Sequence, residues 1–130
     1  MEQLSDQFQE TVRSLLIRHQ SILDILSKSQ ETAARVNRAV TKTVTNCGCL
    51  QINAHKKKLP ENVGLRELKE YLDSNLEGQL CENCREIIES ELGNEIFYIA
   101  ALANALHISL SDVLRKEEKK LSTLTIFNLK

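Results

Sequence analysis

Helix breakers are scarce in this chain: one proline, Pro60, and four glycines stand among 130 residues. Because proline removes a backbone donor and glycine costs chain entropy, both punctuate regular structure, so their scarcity argues against a turn-rich β architecture and for helices. Aromatic residues are also thin, at 4% with no tryptophan, too few for a strand-rich core. Neither sign of charge dominates. Seventeen Lys and Arg against eighteen Asp and Glu leave a net charge of -1, which gives no global pull toward nucleic acid or an anionic membrane. The longest apolar-rich run, "IFYIAALANALHISL", is too short and too interrupted to span a bilayer. The opening "MEQLSDQFQETVRSLL" has no basic segment followed by an apolar block, so no secretion signal is expected there.

What remains is a chain of 42% hydrophobic and 27% charged residues, which suits one soluble domain over residues 1–130. Apolar positions Phe8, Val12, Leu15, His19, Ile22 and Leu26 alternate by four and three, the spacing of one helix face. A long first helix is therefore expected over about residues 3–27. The seam continues through Ala33, Val36 and Val40 into a second helix, from about Gln30 to Thr45, with the break near Ser27–Ser29. His19 reads as a core or interface histidine. Residues 46–62 form a cysteine-containing loop or short strand in which "HKKK", His55 to Lys58, is a solvated basic stretch.

Leu65, Leu68, Leu72 and Leu76 mark a third helix that Gly78 stops. A fourth runs from about Glu82 to Leu106, with Ile88, Leu92, Ile96, Ile99, Ala103 and Leu106 as its core stripe and Glu86, Glu89, Ser90 and Asn104 on the solvated side. Ser109 followed by Asp112 marks the capped start of a fifth helix, and 122–130 remain as a tail. The fold expected is all-α, a bundle of about five helices that self-associates, because the seam offers more apolar edge than one small core needs.

Four cysteines without a secretion signal work as reduced thiols, which points to the cytoplasm. They fall in two pairs, Cys47-x-Cys49 and Cys81-x-x-Cys84, with 31 residues between the pairs. Two close pairs brought together can supply the four soft thiolates that zinc takes in a tetrahedron. An iron–sulfur cluster is the second reading, a redox dithiol the third, and four small buried hydrophobes the bland one. Cys81 at a helix start adds the positive end of the helix dipole, and Gly48 permits the tight turn of C-x-C. His55 is the one further candidate ligand.

On the fourth helix Glu91, Asn94 and Glu95 sit at the flank of the apolar arc. Their oxygens share one helix face, which suits Mg²⁺ or Mn²⁺, while pairing with a neighbouring helix's lysines or arginines explains them equally well. The stretch "ESELGNEIFYIAALANALHISLSDVLRKEEKKL", Glu89 to Leu121, resembles the second half of the MazG-like all-α nucleoside triphosphate pyrophosphohydrolases, within helices spanning 63–121. The resemblance implies an oligomeric helical bundle that binds Mg²⁺ through an E-x-x-E pair and an E-x-x-D pair and cleaves an NTP to NMP and pyrophosphate. On that likeness Glu91 and Asn94 occupy the second pair, with an amide where the family has aspartate. Glu67 and Glu70 are the upstream pair, although they lie opposite the leucine stripe, and Lys116, Lys119 or Lys120 face phosphates. The alternative is a non-enzymatic, zinc-stapled helical module for assembly or regulation. The partners expected are a second copy of the chain and a nucleotide, with no membrane and no nucleic acid.

Overall fold

The structure, a computed structural model, describes residues 2–17 and 20–123; His19 and the end of the tail, 124–130, lie outside the described residues. Helix α1 spans Glu2–Leu15, α2 Ile22–Lys42, α3 Leu65–Tyr71, α4 Glu82–Ala105 and α5 Leu110–Thr123, with strands β1, Leu50–Ile52, and β2, Leu76–Gly78. Among the described residues the all-α expectation of five helices holds, with one small antiparallel ribbon added.

The first break comes earlier than Ser27–Ser29. Ser21, in extended backbone, caps α2 by accepting from the Leu23 N–H at 3.3 Å, and α2 then runs unbroken through the serines. A cap fixes a helix start because it satisfies a donor with no partner inside the helix. At its far end α2 opens into a π-helical turn, Thr43–Cys47, where the Gly48 N–H reaches back to the Thr43 carbonyl at 2.8 Å.

The third helix is half the expected length. It ends at Tyr71, and Leu72 is already extended. Asp73 then accepts from the Asn75 N–H at 2.7 Å while Asn75 takes positive φ, a turn chemistry that asparagine and aspartate favour. This turn sends Leu76–Gly78 into a strand, and Gly78 thus ends a strand rather than stopping a helix. The strands pair with Leu50 opposite Gly78, Gln51 opposite Glu77 and Ile52 opposite Leu76. Lys57 of the "HKKK" stretch reaches Asp73 at 2.9 Å, so one of those lysines fastens the arm rather than merely meeting water.

The core is formed by Val12, Ile25, Ala100, Ala101 and Leu110, with Phe8, Leu16, Phe97, Tyr98 and Leu102 packed around it. Helices α2 and α4 share the most extensive contact, and α1 packs on α4 and α5. One buried amide ties α1 to the start of α5 and the turn before it: Gln9 donates to the Ile108 carbonyl at 2.7 Å and accepts from the Leu110 N–H at 2.8 Å. The start of α5 is as expected, Ser109 accepting from the Asp112 N–H at 3.2 Å.

The expected stripe of α4 needs correction. Ala100 and Ala101 are fully buried, and Asn104, assigned to the solvated side, donates to the Gln9 carbonyl. Leu92, Ile96, Ile99 and Leu106 instead stand between 43% and 54% exposed. Helix α4 is apolar on two sides. Its alanines let the α1 backbone approach closely, while the second side stays about half exposed.

Candidate metal centre

The end of α2 and the start of α4 meet at the cysteines. The π-helical turn delivers Cys47, and Gly48 at φ +79° turns the chain so that Cys49 follows on the same side. From there β1 leads away and β2 returns, bringing the backbone back to Cys81, the N-cap of α4. Two segments 31 residues apart are thereby closed on each other by a ribbon only three residues long on each side.

Close approach requires Gly78. A Cβ there would lie 2.4 Å from the Cys49 carbonyl oxygen, and Gly78 has φ +91°, a region side chains avoid. The sequence signal for its role was its position, three residues ahead of Cys81, although that spacing reads equally well as a helix stop.

All four sulfurs, from Cys47, Cys49, Cys81 and Cys84, lie within 4.8 Å of one another, and none is in a disulfide. Cys47 Sγ stands 3.8 Å from Cys81 Sγ. A tetrahedron of thiolates about 2.3 Å from a central zinc has edges of about 3.8 Å, so the donor set fits one tetrahedral ion. These four residues can hold a metal ion. Among the described residues no second cluster of three or more cysteine, histidine or carboxylate ligands accompanies them.

The electrostatics favour an ionised sulfur at the helix start. The Cys84 N–H points at Cys81 Sγ at 3.4 Å, and this backbone donor, followed by the Cys84 thiol, draws the Cys81 thiol down to about 7. The thiol hydrogen bond to Cys81, with burial second, pushes Cys84 up to about 12. Four sulfurs packed this closely cannot all ionise without a cation, since like charges raise one another's pKa. Cys84 is buried while Cys47 is exposed, so the site is open on its α2 side.

The other candidates are arranged differently. Glu91 lines a groove with Arg35, Arg38, Ala39, Lys42 and Ile87, and Asn94 lines a neighbouring one with Lys28, Glu31, Thr32, Arg35 and Tyr98. Asn94 and Glu91 do come together, the amide donating to the carboxylate at 3.2 Å. Across from them, Lys28 at 2.9 Å and Arg35 at 3.2 Å hold Glu31, whose carboxyl is kept below its usual range by those hydrogen bonds.

Glu95 is half-buried on the same helix. Glu67 and Glu70 belong to α3, which has no buried residue, and Glu67 caps that helix by accepting from the Gly64 N–H at 2.8 Å. On α5, Lys116 and Lys119 line a shallow surface with Asp112 and Arg115, and Lys120 pairs with Glu117 at 2.9 Å. His55 is exposed and outside the sulfur group. For Glu91, the arginines and lysine of α2 stand where the pairing alternative expected cations on a neighbouring helix.

Comparisons with family models, with curated proteins and with solved structures return no match. Among the described residues no single helix is long and apolar enough to cross a membrane.

Proposed function

We propose that this protein is a non-enzymatic helical module whose α2–α4 hairpin is stapled by zinc through Cys47, Cys49, Cys81 and Cys84. The observation that carries the reading is the mutual approach of four free sulfurs to within 4.8 Å. Zinc is favoured over an iron–sulfur cluster because a cluster spreads its cysteine ligands over several irons, whereas these sulfurs crowd around one point. When bound, zinc supplies the positive charge that lets all four thiols ionise and cross-links the helix ends, so its binding energy becomes folding energy. Cys81, already drawn toward thiolate by the Cys84 N–H, offers the first ligand, and Gly78 holds the two pairs in register. Elemental analysis of the purified chain, followed by melting with and without a strong chelator, tests this. Zinc near one equivalent and a large chelator-induced loss of stability support it.

A second reading is hydrolysis of a nucleoside triphosphate to its monophosphate and pyrophosphate with Mg²⁺ or Mn²⁺, the activity implied by the MazG-like stretch. It is favoured by Glu91 and Asn94 lying together in grooves that face α2. Against it, the facing residues are mostly Lys28, Arg35, Arg38 and Lys42, and the one acid among them, Glu31, is already paired. Mg²⁺ is held by one or two carboxylates together with waters and substrate phosphates, and a face this rich in cations repels a bound divalent ion. Pyrophosphate release from a panel of nucleoside triphosphates decides between the readings: turnover that Glu91→Ala abolishes supports hydrolysis, and no release above buffer removes it.

A further inference from the structure

The helical hairpin has two unlike sides. Helix α2 enters the cysteine site and α4 leaves it, so the pair is antiparallel. In such a pair, positions one residue beyond each contact position fall on the same side of both helices. On α2 the buried positions include Ile25, Thr32 and Thr43. One step beyond Ile25 and Thr32 lie Leu26 and Ala33, with Val40 one heptad further along the same row, and the matching side of α4 carries Leu92, Ile96, Ile99 and Leu106. The opposite side carries Lys28, Glu31, Arg35, Arg38 and Lys42, the grooves described above. Leu26, Val40, Leu92, Ile96, Ile99 and Leu106 are each between 38% and 54% exposed; the run Leu92, Ile96, Ile99, Ala103, Leu106 carries no charge, with Arg85 and Glu89 one heptad ahead of it and half-buried Glu95 at its edge toward α2.

We infer that this apolar side is the interface with a second copy of the chain, the two hairpins closing into a four-helix bundle. Area supports this occupant. The chain exposes 10221 Å², against about 7,000 Å² for a compact protein of this mass. Granting the ten residues outside the description the area of a fully extended segment, about 1,650 Å², still leaves an excess of about 1,600 Å². That excess, which includes the α3 arm, is about twice the ~800 Å² that each partner contributes to a stable interface. Spacing supports it as well: Leu92, Ile96, Ile99, Ala103 and Leu106 follow the alternating four-and-three step of helices that pack side by side. An anionic lipid surface fits poorly, because the cations of α2 lie on the other side. The inference does not depend on which metal, if any, the cysteines hold.

Sedimentation of the full metal-loaded chain at micromolar concentration tests it. The expected result is twice 14.8 kDa, with Ile96→Glu and, separately, Leu92→Glu weakening self-association at least 100-fold while helical circular dichroism is retained. Arg35→Glu, on the charged side, should leave the dimer intact. A parent chain that sediments as a monomer overturns the proposal, as does a dimer unaffected by both glutamate variants. Monomeric protein that floats with zwitterionic vesicles until Ile96 is replaced would also overturn it, by identifying a membrane as the occupant.

Discussion

Replacing Gly78 by alanine should damage the metal centre although residue 78 carries no ligand. Two costs combine. At φ +91° any side chain is strained, by about 1–3 kcal/mol, and the new Cβ would lie 2.4 Å from the Cys49 carbonyl oxygen. That oxygen is backbone, so relief requires β1 to move and to carry Cys49 away from Cys81. Together these give a destabilisation of about 3 kcal/mol, a melting temperature lower by about 10 °C for a chain of this size, and zinc affinity down by about one to two orders of magnitude. Two other glycines calibrate the effect, since a Cβ at Gly48 or at Gly93 meets nothing within 4 Å. Gly48→Ala carries φ strain alone, about 1 kcal/mol, and Gly93→Ala, within α4, should stabilise by about 0.5–1 kcal/mol. Denaturant titration of the metal-loaded proteins, with zinc competition against a chromophoric chelator, measures both quantities. If Gly78→Ala matched the parent in both, the strand register would have no part in holding the sulfurs together.

Three further outcomes follow. Cys84→Ser should lower stability by about 3–4 kcal/mol, the scale of releasing a closed loop of roughly thirty residues, whereas Glu91→Ala should cost under about 1 kcal/mol; equal melting temperatures for Cys84→Ser and the parent would contradict the staple. Gln9→Leu should cost about 2–3 kcal/mol, because it leaves the Ile108 carbonyl and the Leu110 N–H without their partner, and thermal unfolding measures it. In metal-free protein Cys81 should alkylate first, its rate rising to half-maximum near pH 7 while Cys84, at about 12, stays protonated and slow. The lowered Cys81 pKa stabilises the fold above the unfolded thiol's value, and this contribution is lost as pH falls through about 7. Mass spectrometry of partially alkylated peptides reads the order of modification.

Much of the helix content was legible because periodicity reports it directly: α4 begins just after Cys81, expected at a helix start, and α5 just after Ser109, expected as its cap. The pairing of the cysteines was equally legible, since two close pairs are informative before any fold is known. Three features were not. The Ser21 cap competed with serines at 27 and 29, and sequence alone does not rank rival caps. Strand β2 hid inside a leucine pattern of helical spacing, because the turn at Asp73 and Asn75 overrides periodicity locally. The buried side of α4 was assigned only in part: Ala103 is in the core as expected, but apolar residues occupy both faces, and Ala100 and Ala101, which bury well while showing little hydrophobicity, took the place of Leu92, Ile96, Ile99 and Leu106. The acidic positions show the same limit: Glu67 has the spacing of a ligand pair but serves as a cap.

The most direct test of the account is the metal content and sulfur coordination of the purified chain. X-ray absorption at the zinc edge, on protein carrying one equivalent, should report four sulfur ligands at about 2.3 Å. Less than half an equivalent of metal, a first shell containing nitrogen or oxygen, or Cys47 recovered in a disulfide with Cys81 would contradict it.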